Sequence, residues 1–215
     1  MKNIVTRPTK QIYKNYTKED FKVWNILFKR QLKNLNDIVA EEFIVALKEL
    51  NFRAEKIPNF IEINNILKNT TGWTIKTVPN ISPPEEFFSY LSKKNFTTTC
   101  WLRSMSQIDY LEEPDMFHDV FAHVPLLSNK EYTSFFKEIG QIAMSVIDDP
   151  IKLKKLQRIY WFTIEFGLIK KHDKFKIYGA GIISSKEESM NVLSNKSQKK
   201  KFDVNRVMNH SFKID

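Results

Sequence analysis

The chain has 215 residues and one cysteine, Cys100, so it can bury one substantial core but cannot form an intramolecular disulfide or a cysteine-rich metal site. Its formal net charge of +9 comes from lysines that are spread along the chain among acidic residues, a pattern that argues against a nucleic-acid partner. Residues 1–16 lack the apolar core of a signal peptide, and no apolar run approaches the roughly 18 residues of a membrane span, so we expect a cytoplasmic protein.

The N-terminal half predicts four helices and two short strands. We expect residues 1–16 to form a polar, poorly ordered segment ahead of one domain over 17–215. Thr17 can cap a helix whose apolar residues recur at spacings of three and four, namely Phe21, Trp24, Leu27, Phe28 and Leu32. Further helices are predicted over about 37–50, 60–69 and 85–94, with strands over 73–78 and 96–102.

The C-terminal half predicts more helix than strand. Helices are expected at about 114–123, 130–147 and 151–169, followed by a strand and glycine turn over 175–181 and a last helix within 184–193. The predicted fold class is therefore mainly α with a few short β-strands. Strands and helices alternate too irregularly for a doubly wound sheet, and no glycine-rich phosphate loop occurs, which argues against dinucleotide and P-loop chemistry.

Two histidines, His118 and His123, lie five residues apart among apolar side chains. A histidine in such surroundings is more often a hydrogen-bonded core residue than a metal ligand. On an ideal helix, positions i and i+5 are about 140° apart, so both rings face one ion only if the helix ends or bulges between them. Pro125 favours an end, because proline disfavours a helical residue before it, and we expect His123 at the exit of the helix.

Glu165 is the acidic residue that can complete a donor set. It is the only charged residue between Arg158 and Lys170, and an unpaired carboxylate would be costly to bury there unless it binds a metal. Two histidines and one carboxylate are typical of non-haem ferrous oxygenases, but the same donors can hold zinc with a water. The donor set alone leaves two enzymes open, an iron oxygenase and a zinc hydrolase with Asp119 as the base.

Three separated stretches, EPDMFHDVFAHVPLL, IYWFTIEFGLI and YGAGIISS, occur in an order that resembles the pterin-dependent aromatic amino acid hydroxylases. The likeness is strongest to bacterial members that hydroxylate phenylalanine, and it runs from about Tyr16 to the end of the chain. The resemblance implies that His118, His123 and Glu165 bind one Fe(II). It also implies a reaction with O2 and a tetrahydropterin cofactor that hydroxylates the ring of an aromatic amino acid, most simply L-Phe to L-Tyr.

The resemblance further implies which residues bind the substrate. Arg103 is expected to anchor the α-carboxylate of the amino acid, and Asp115 to orient this arginine, since a guanidinium binds a carboxylate bidentately. A plain surface ion pair between Arg103 and Asp115 is the alternative. Trp161, Phe166 and Gly181 are expected to wall the aromatic ring of the substrate, and Trp161 favours Phe or Tyr over Trp.

Four other positions match residues near the pterin and the iron. Phe87 is expected to stack on the pterin ring, although a residue on an amphipathic helix is more often part of the core. Asp119 falls where the family has an acidic residue near the ring nitrogens of the pterin. Ser184 and Tyr160 match polar residues close to the iron.

The chain departs from the family pattern in two places and at its end. Leu111 stands where phenylalanine hydroxylases often carry threonine, and Ala122 where glycine is usual before the second histidine. The chain stops at Asp215, where relatives typically continue, so a catalytically impaired metal-binding or nucleic-acid-binding relative stays open. We expect a monomer without a regulatory domain, with His172 and His210 as surface or loop residues.

Overall fold

The computed structural model describes residues 7–192, 194 and 197–209, and over these residues the chain is mainly helical. Two segments, π1 and π2, are wound as π-helices. The α-helices are α1 (Lys18–Leu35), α2 (Glu41–Glu49), α3 (Phe60–Thr70), α4 (Pro84–Ser92), α5 (Lys130–Ser145), α6 (Pro150–Tyr160), α7 (Ala180–Ser184), α8 (Lys186–Asn191) and α9 (Val204–Asn209). The π-helices are π1 (Phe117–His123) and π2 (Trp161–Glu165), and short 3-10 turns cover Tyr13–Asn15, Met105–Gln107 and Pro125–Ser128.

The strands form two small sheets. In the first, β1 (Thr74–Thr77) pairs in parallel with β2 (Asn95–Thr98), and α4 is the crossover between them. In the second, β3 (Leu168–Lys171) and β4 (Lys174–Ile177) form an antiparallel hairpin. Its two turn residues, His172 and Asp173, both have left-handed backbone conformations with φ of 46° and 62°. The prediction of a mainly α fold with a few short strands is therefore confirmed.

The core forms where α1 and α2 pack on π1. Phe117 and Phe121 of π1 stack with ring centroids 4.6 Å apart, and Trp24 of α1 meets Phe117 edge-on at 5.7 Å. Phe43 of α2 contacts Phe121 from another side at 5.7 Å. All four side chains are fully buried, so π1 is anchored on its apolar face and its polar face is free to build a site.

Residues 7–16, the N-terminal strap, pack against the domain, so the expectation of a poorly ordered segment is wrong for them. The Tyr16 hydroxyl donates a hydrogen bond to the Cys100 carbonyl at 2.8 Å, and the Tyr13 hydroxyl donates to the Ile57 carbonyl at 2.9 Å. Gln11 donates to the Pro58 carbonyl and accepts from the Phe60 amide. Residues 1–6 lie outside the described residues.

The helix predicted over 37–50 begins only at Glu41, because the preceding residues pair with β4. The Ala40 amide donates to the Ile177 carbonyl at 2.7 Å, and the Ile177 amide donates to the Ile38 carbonyl at 2.8 Å. Asp37 turns the chain toward β4 with a left-handed φ of 61°. These backbone bonds replace the first turn of the predicted helix.

The helix predicted over 151–169 is also too long. The α-helix ends at Tyr160, π2 continues to Glu165, and the chain enters β3 at Leu168. The strand predicted over 175–181 ends at Ile177, and Ala180 and Gly181 already belong to α7. His172 is exposed in the hairpin turn, as predicted, whereas His210 lies outside the described residues.

None of the helices among the described residues combines the length and apolarity that crossing a membrane requires.

Candidate active site

A cavity of about 720 Å³ opens on the polar face of π1. Its wall combines aromatic and aliphatic side chains with polar and charged ones. The aromatic residues are Phe87 and Phe88 of α4, Phe96 of β2, Tyr160, Trp161 and Phe166. The polar ones include Thr99, His118, Asp119, His123 and Glu165.

Three potential metal ligands meet in this cavity. His118, His123 and Glu165 each offer one donor atom, and these atoms all lie within 4.8 Å of one another. His123 Nε2 is 3.3 Å from His118 Nε2 and 3.1 Å from Glu165 Oε1, and His118 Nε2 is 3.7 Å from Glu165 Oε2. Ligands that bind one ion at right angles through bonds of roughly 2.0–2.2 Å lie about 3 Å apart, so these donors fit a single first-row divalent ion.

The π-helical winding explains why histidines five residues apart share one face. A π-helix bonds residue i to residue i+5, so side chains with this spacing lie above one another, as i and i+4 do in an α-helix. His118 and His123 both belong to π1, and the next residue, Val124, is still helical with φ −62° and ψ −36°. His123 is the last residue of π1, as expected, but the chain continues through Val124 into the 3-10 turn at Pro125, so it is the π-helical winding rather than a break before Pro125 that brings the two rings together.

Glu165 is placed by the second π-helix. The Phe166 amide closes π2 on the Trp161 carbonyl at 3.1 Å, five residues back. Gly179 allows the start of α7 to pack closely against this turn, because any side chain at this position would put a Cβ atom 2.4 Å from the Glu165 carbonyl oxygen. Burial would raise the pKa of Glu165, but the charge and hydrogen bond of His123 outweigh it and hold the pKa below its ordinary value.

His118 has its proton fixed on the nitrogen that faces away from Glu165. The Ser184 hydroxyl donates to the Ala180 carbonyl at 3.0 Å, so its oxygen accepts a hydrogen bond from His118 Nδ1 at 2.8 Å. This leaves the lone pair on Nε2, the atom that faces His123 and Glu165. Burial lowers the pKa of His118 to about 4, which keeps the ring neutral, as a metal ligand must be.

His123 is held chiefly by packing. Its ring lies 5.0 Å from that of Phe96, and its Nδ1 is buried without a hydrogen-bond partner among the described residues. The ring makes a polar contact with Glu165 through its Nε2. Ala122 is fully buried in π1, and its methyl group does not keep His123 from this contact.

Arg103 and Asp115 form a buried bidentate pair, which excludes the alternative of a plain surface ion pair. Arg103 Nε and Nη2 each donate to the Asp115 carboxylate at 2.9 Å, and the Arg103 amide does the same. Asp115 is fully buried, and it also accepts from the amides of Phe117 and His118 at the start of π1. Arg103, Asp115 and Ser184 are not among the residues that line the cavity, whereas their neighbours Pro114 and Gly181 are.

The residues expected around the pterin and the substrate ring do line the cavity. Phe87 meets Tyr160 edge-on at 5.2 Å, and Trp161 lies 4.9 Å from Phe166. Gly181 leaves room beside Phe166, since a Cβ atom there would lie 3.2 Å from the Phe166 ring. Tyr160 is half-buried, and desolvation in the cavity wall raises its pKa well above the ordinary value.

Asp119 has a partner that was not expected. The Thr99 amide and hydroxyl both donate to Asp119 Oδ2, at 2.7 and 2.8 Å. Burial raises the pKa of Asp119 to about 7, against the opposing effect of these two bonds. Thr99 and Phe96 were not among the predicted site residues, although both lie in the predicted strand FTTTCWL. They are three residues apart, so strand alternation would place them on opposite faces and could not have identified both.

Comparison with known proteins identifies the family. A sequence profile of the biopterin-dependent aromatic amino acid hydroxylases matches residues 6–215. The chain belongs to this family. It is 40% identical over 203 residues to phenylalanine-4-hydroxylase of Chromobacterium violaceum, covering 93% of this chain and 67% of that protein. The family predicted from the sequence motifs is thus confirmed.

A second relative and a crystal structure extend the comparison. Phenylalanine-4-hydroxylase of Ralstonia nicotianae is 40% identical over 201 residues, covering 93% of this chain and 64% of that protein. This aromatic amino acid hydroxylase therefore spans about two thirds of the length of the two curated relatives. A crystal structure of the C. violaceum enzyme with iron(III) and oxidised 7,8-dihydrobiopterin superposes with a TM-score of 0.88 at 39% identity, covering 98% of this chain and 76% of that one.

Proposed function

We propose that this hydroxylase is an iron- and tetrahydropterin-dependent monooxygenase that converts L-Phe to L-Tyr with O2. The observation that carries the proposal is the convergence of His118, His123 and Glu165 in an aromatic cavity. The relatives named phenylalanine-4-hydroxylase, and the C. violaceum structure that holds iron and dihydrobiopterin, support the same reaction. The metal is Fe(II), held by these three residues.

The ligand set suits the metal on physical grounds. Two neutral imidazoles and one carboxylate occupy one face of an ion and leave its other positions for small ligands. Bound there, iron supplies activation of O2 together with the reduced pterin, so that one oxygen atom enters the aromatic ring. Ser184 keeps the His118 lone pair on Nε2, and π2 with Gly179 keeps Glu165 within reach of both rings.

The substrate is held between a charged anchor and an aromatic wall. Arg103 binds the α-carboxylate through Nη1, which has no bonded acceptor among the described residues, while Asp115 holds Nε and Nη2. Arg103 and Asp115 lie behind the cavity lining, beside Pro114, so the carboxylate reaches Arg103 at the edge of the cavity. Trp161, Phe166 and Gly181 enclose the ring and exclude water from it.

The pterin lies on the other side of the cavity. Phe87 stacks on its ring, and Asp119, with Oδ2 fixed by Thr99, presents its remaining oxygen to the N–H groups of the pterin. Tyr160 carries a hydroxyl beside the three ligands and stays protonated at neutral pH, because burial raises its pKa. The Tyr160 ring lies 5.2 Å from that of Phe87 and 6.5 Å from that of His123, which supports a position between the pterin and the metal ligands.

The protein as a whole is proposed to be a cytoplasmic monomer whose catalytic domain covers 17–215, with no nucleic-acid partner. The single cysteine supports a reducing compartment: Cys100 is buried, and burial raises its pKa to about 11, so its thiol is protonated and inert. The N-terminal strap packs on the domain and belongs to the same folding unit.

Turnover tests the proposal. Protein loaded anaerobically with Fe(II) is mixed with tetrahydrobiopterin, air and L-Phe, L-Tyr or L-Trp, and the products are separated by chromatography. We expect L-Tyr from L-Phe, one molecule for each pterin oxidised in the coupled reaction. A folded, iron-loaded protein that forms no hydroxylated amino acid would reject the proposal.

A zinc-loaded sample separates the rival hydrolase. That alternative, with Asp119 as base, predicts a hydrolytic activity that requires zinc and does not consume oxygen. The iron enzyme predicts no product with zinc and none under argon.

A further inference from the structure

Arg7, in the N-terminal strap, makes three contacts with the rim of the cavity. Its guanidinium carbon lies 3.7 Å from the ring centroid of Trp101, the geometry of a cation–π contact. Its Nη1 donates to Asn80 Oδ1 at 3.0 Å and also pairs with the Glu113 carboxylate. One side chain therefore joins three separate parts of the chain.

Two of these contacts lie on loops that form the cavity wall. The first loop, residues 78–84, contributes Val78, Asn80, Ile81, Ser82 and Pro84 to the lining. The second loop, residues 109–114, contributes Glu112 and Pro114. Asn80 is in the first loop and Glu113 in the second, so Arg7 connects the two loops across the rim.

Trp101 also links the two loops through its own hydrogen bonds. Its indole nitrogen donates to the Pro79 carbonyl at 3.1 Å, in the first loop. Its carbonyl accepts from the Met116 amide at 2.9 Å, just beyond the second loop. Arg7 thus covers a tryptophan that is already bonded toward both loops.

The contacts require a guanidinium. A planar group can stack on an indole with its face while its edge donates to two acceptors, whereas a lysine ammonium is a point charge without such a face. The Glu113 side chain is 57% exposed, so water and salt would weaken a simple ion pair there. The Arg7 side chain is 23% exposed, which indicates that stacking and hydrogen bonds hold it in place.

We propose that Arg7 is a positioning residue that fixes the two rim loops relative to each other and so sets the affinity for both organic substrates. The inference rests on the proposed function for its kinetic consequence. The first loop leads directly into α4, which carries Phe87, and the second leads into Asp115, which holds Arg103. Release of Arg7 loosens the pterin wall and the carboxylate anchor, and it leaves the three metal ligands in place.

Hydrogen exchange on the metal-free protein tests the structural part without any turnover. The variants are Arg7→Gln and Glu113→Ala, with Arg53→Gln as the matched control, because Arg53 is an exposed arginine that donates to Asn51. We expect amides in residues 78–84 and 109–114 to exchange several-fold faster in both test variants than in the wild type and the control. Glu113→Ala changes an exposed side chain, so it answers the question even if Arg7→Gln folds poorly.

Steady-state kinetics tests the functional part. We expect Arg7→Gln to raise the KM for pterin and for L-Phe by about three- to tenfold, the range for the loss of one ordinary hydrogen bond, with kcat within twofold. Iron stoichiometry stays at the wild-type value, and Arg7→Lys recovers only part of the affinity. Unchanged exchange in both loops, or faster exchange with unchanged KM values, would overturn the proposal. If the wild-type enzyme shows no turnover, the proposed function is rejected. The hydrogen-exchange comparison still tests whether Arg7 connects the two loops, because it needs no turnover.

Discussion

At the scale of single residues, the site depends on side chains that orient other side chains. Ser184 does not reach the cavity, yet its hydroxyl decides which nitrogen of His118 carries the proton. Thr99 orients Asp119 by donating two hydrogen bonds to one of its carboxylate oxygens. The resemblance predicted which residues belong to the site, but these orienting contacts depend on a geometry that residue identity alone does not specify.

Removal of the Ser184 hydroxyl should weaken iron binding. In Ser184→Ala, His118 loses its partner at Nδ1 and can rotate or change tautomer, so we expect the Kd for Fe(II) to rise by about 10- to 100-fold. Anaerobic titration with Fe(II) measures it. Ser128→Ala is the control, because Ser128 also bonds a backbone carbonyl, that of Pro125, but contacts no ligand. An unchanged Kd in Ser184→Ala would show that Ser184 does not position His118.

Removal of Asp115 should destabilise the fold more than it damages the metal site. Asp115→Ala leaves the guanidinium of Arg103, whose side chain is 10% exposed, without its partner, and we expect a loss of about 3–5 kcal/mol in the free energy of unfolding. Urea denaturation measures the loss. The double variant Arg103→Met with Asp115→Leu should recover only the part of the loss that comes from the unpaired guanidinium, because the amides of Arg103, Phe117 and His118 still lack the acceptor that Asp115 provided. A single variant as stable as the wild type would contradict the view that the pair is buried and coupled.

At the scale of elements, the two π-helices are the features that create the site. A regular helix such as α1 was predictable, because Thr17 caps its N-terminus and its apolar residues recur at the α-helical period. The π-helices were not predictable, because a single π-helical turn does not change the pattern of apolar residues in the sequence around it. β3 was missed for a related reason: IEFGLI is continuously apolar apart from one acid, and such a run fits a helix or a strand equally well.

Gly140 permits the close packing of α5 on α4. A Cβ atom at this position would lie 2.5 Å from the Ser92 amide nitrogen, which is backbone and cannot swing aside. We expect Gly140→Ala to cost about 1–3 kcal/mol and to lower Tm by several degrees, as measured by calorimetry. Ser134→Ala, at an exposed position of the same helix, serves as the control and should leave Tm nearly unchanged. Equal melting of both variants would mean that α4 can move away without cost.

The pair of Glu42 in α2 and Lys171 in β3 should give a small pH dependence to stability. The hydrogen bond and charge of Lys171 lower the pKa of Glu42 in the folded protein. A lowered pKa stabilises the folded state above the unfolded value of about 4.5, and this contribution disappears as the pH falls through the lower folded value. The Glu42 side chain is 42% exposed, so we expect less than about 1 kcal/mol.

Denaturation of the wild type and Glu42→Gln across that pH range measures the effect. The difference in unfolding free energy should be largest near neutral pH, should shrink as the pH falls below about 4.5, and should vanish once the pH is below the lowered pKa of Glu42 in the folded protein. A difference that grows toward acid would have the wrong sign for this pair.

At the scale of the whole molecule, the fold collects a site from distant parts of the chain. α4 supplies Phe87, π1 supplies both histidines, π2 supplies Glu165, and α7 supplies Ser184 and Gly181. The resemblance to the family predicted this set of residues, and the fold brings them to the cavity or directly behind its lining. The resemblance did not predict that residues 7–16 belong to the same unit, since the packing of Tyr13 and Tyr16 depends on partners at Ile57 and Cys100 that no local pattern reveals.

Metal stoichiometry tests the central claim, that His118, His123 and Glu165 form one iron site, most directly. Anaerobic titration of the wild type with Fe(II), followed by removal of free metal and iron analysis, should give one iron per chain. His118→Ala and Glu165→Ala should retain almost none, because two remaining ligands hold the ion poorly, whereas Phe87→Ala should retain the full amount. Stoichiometric iron in His118→Ala or Glu165→Ala would contradict the account.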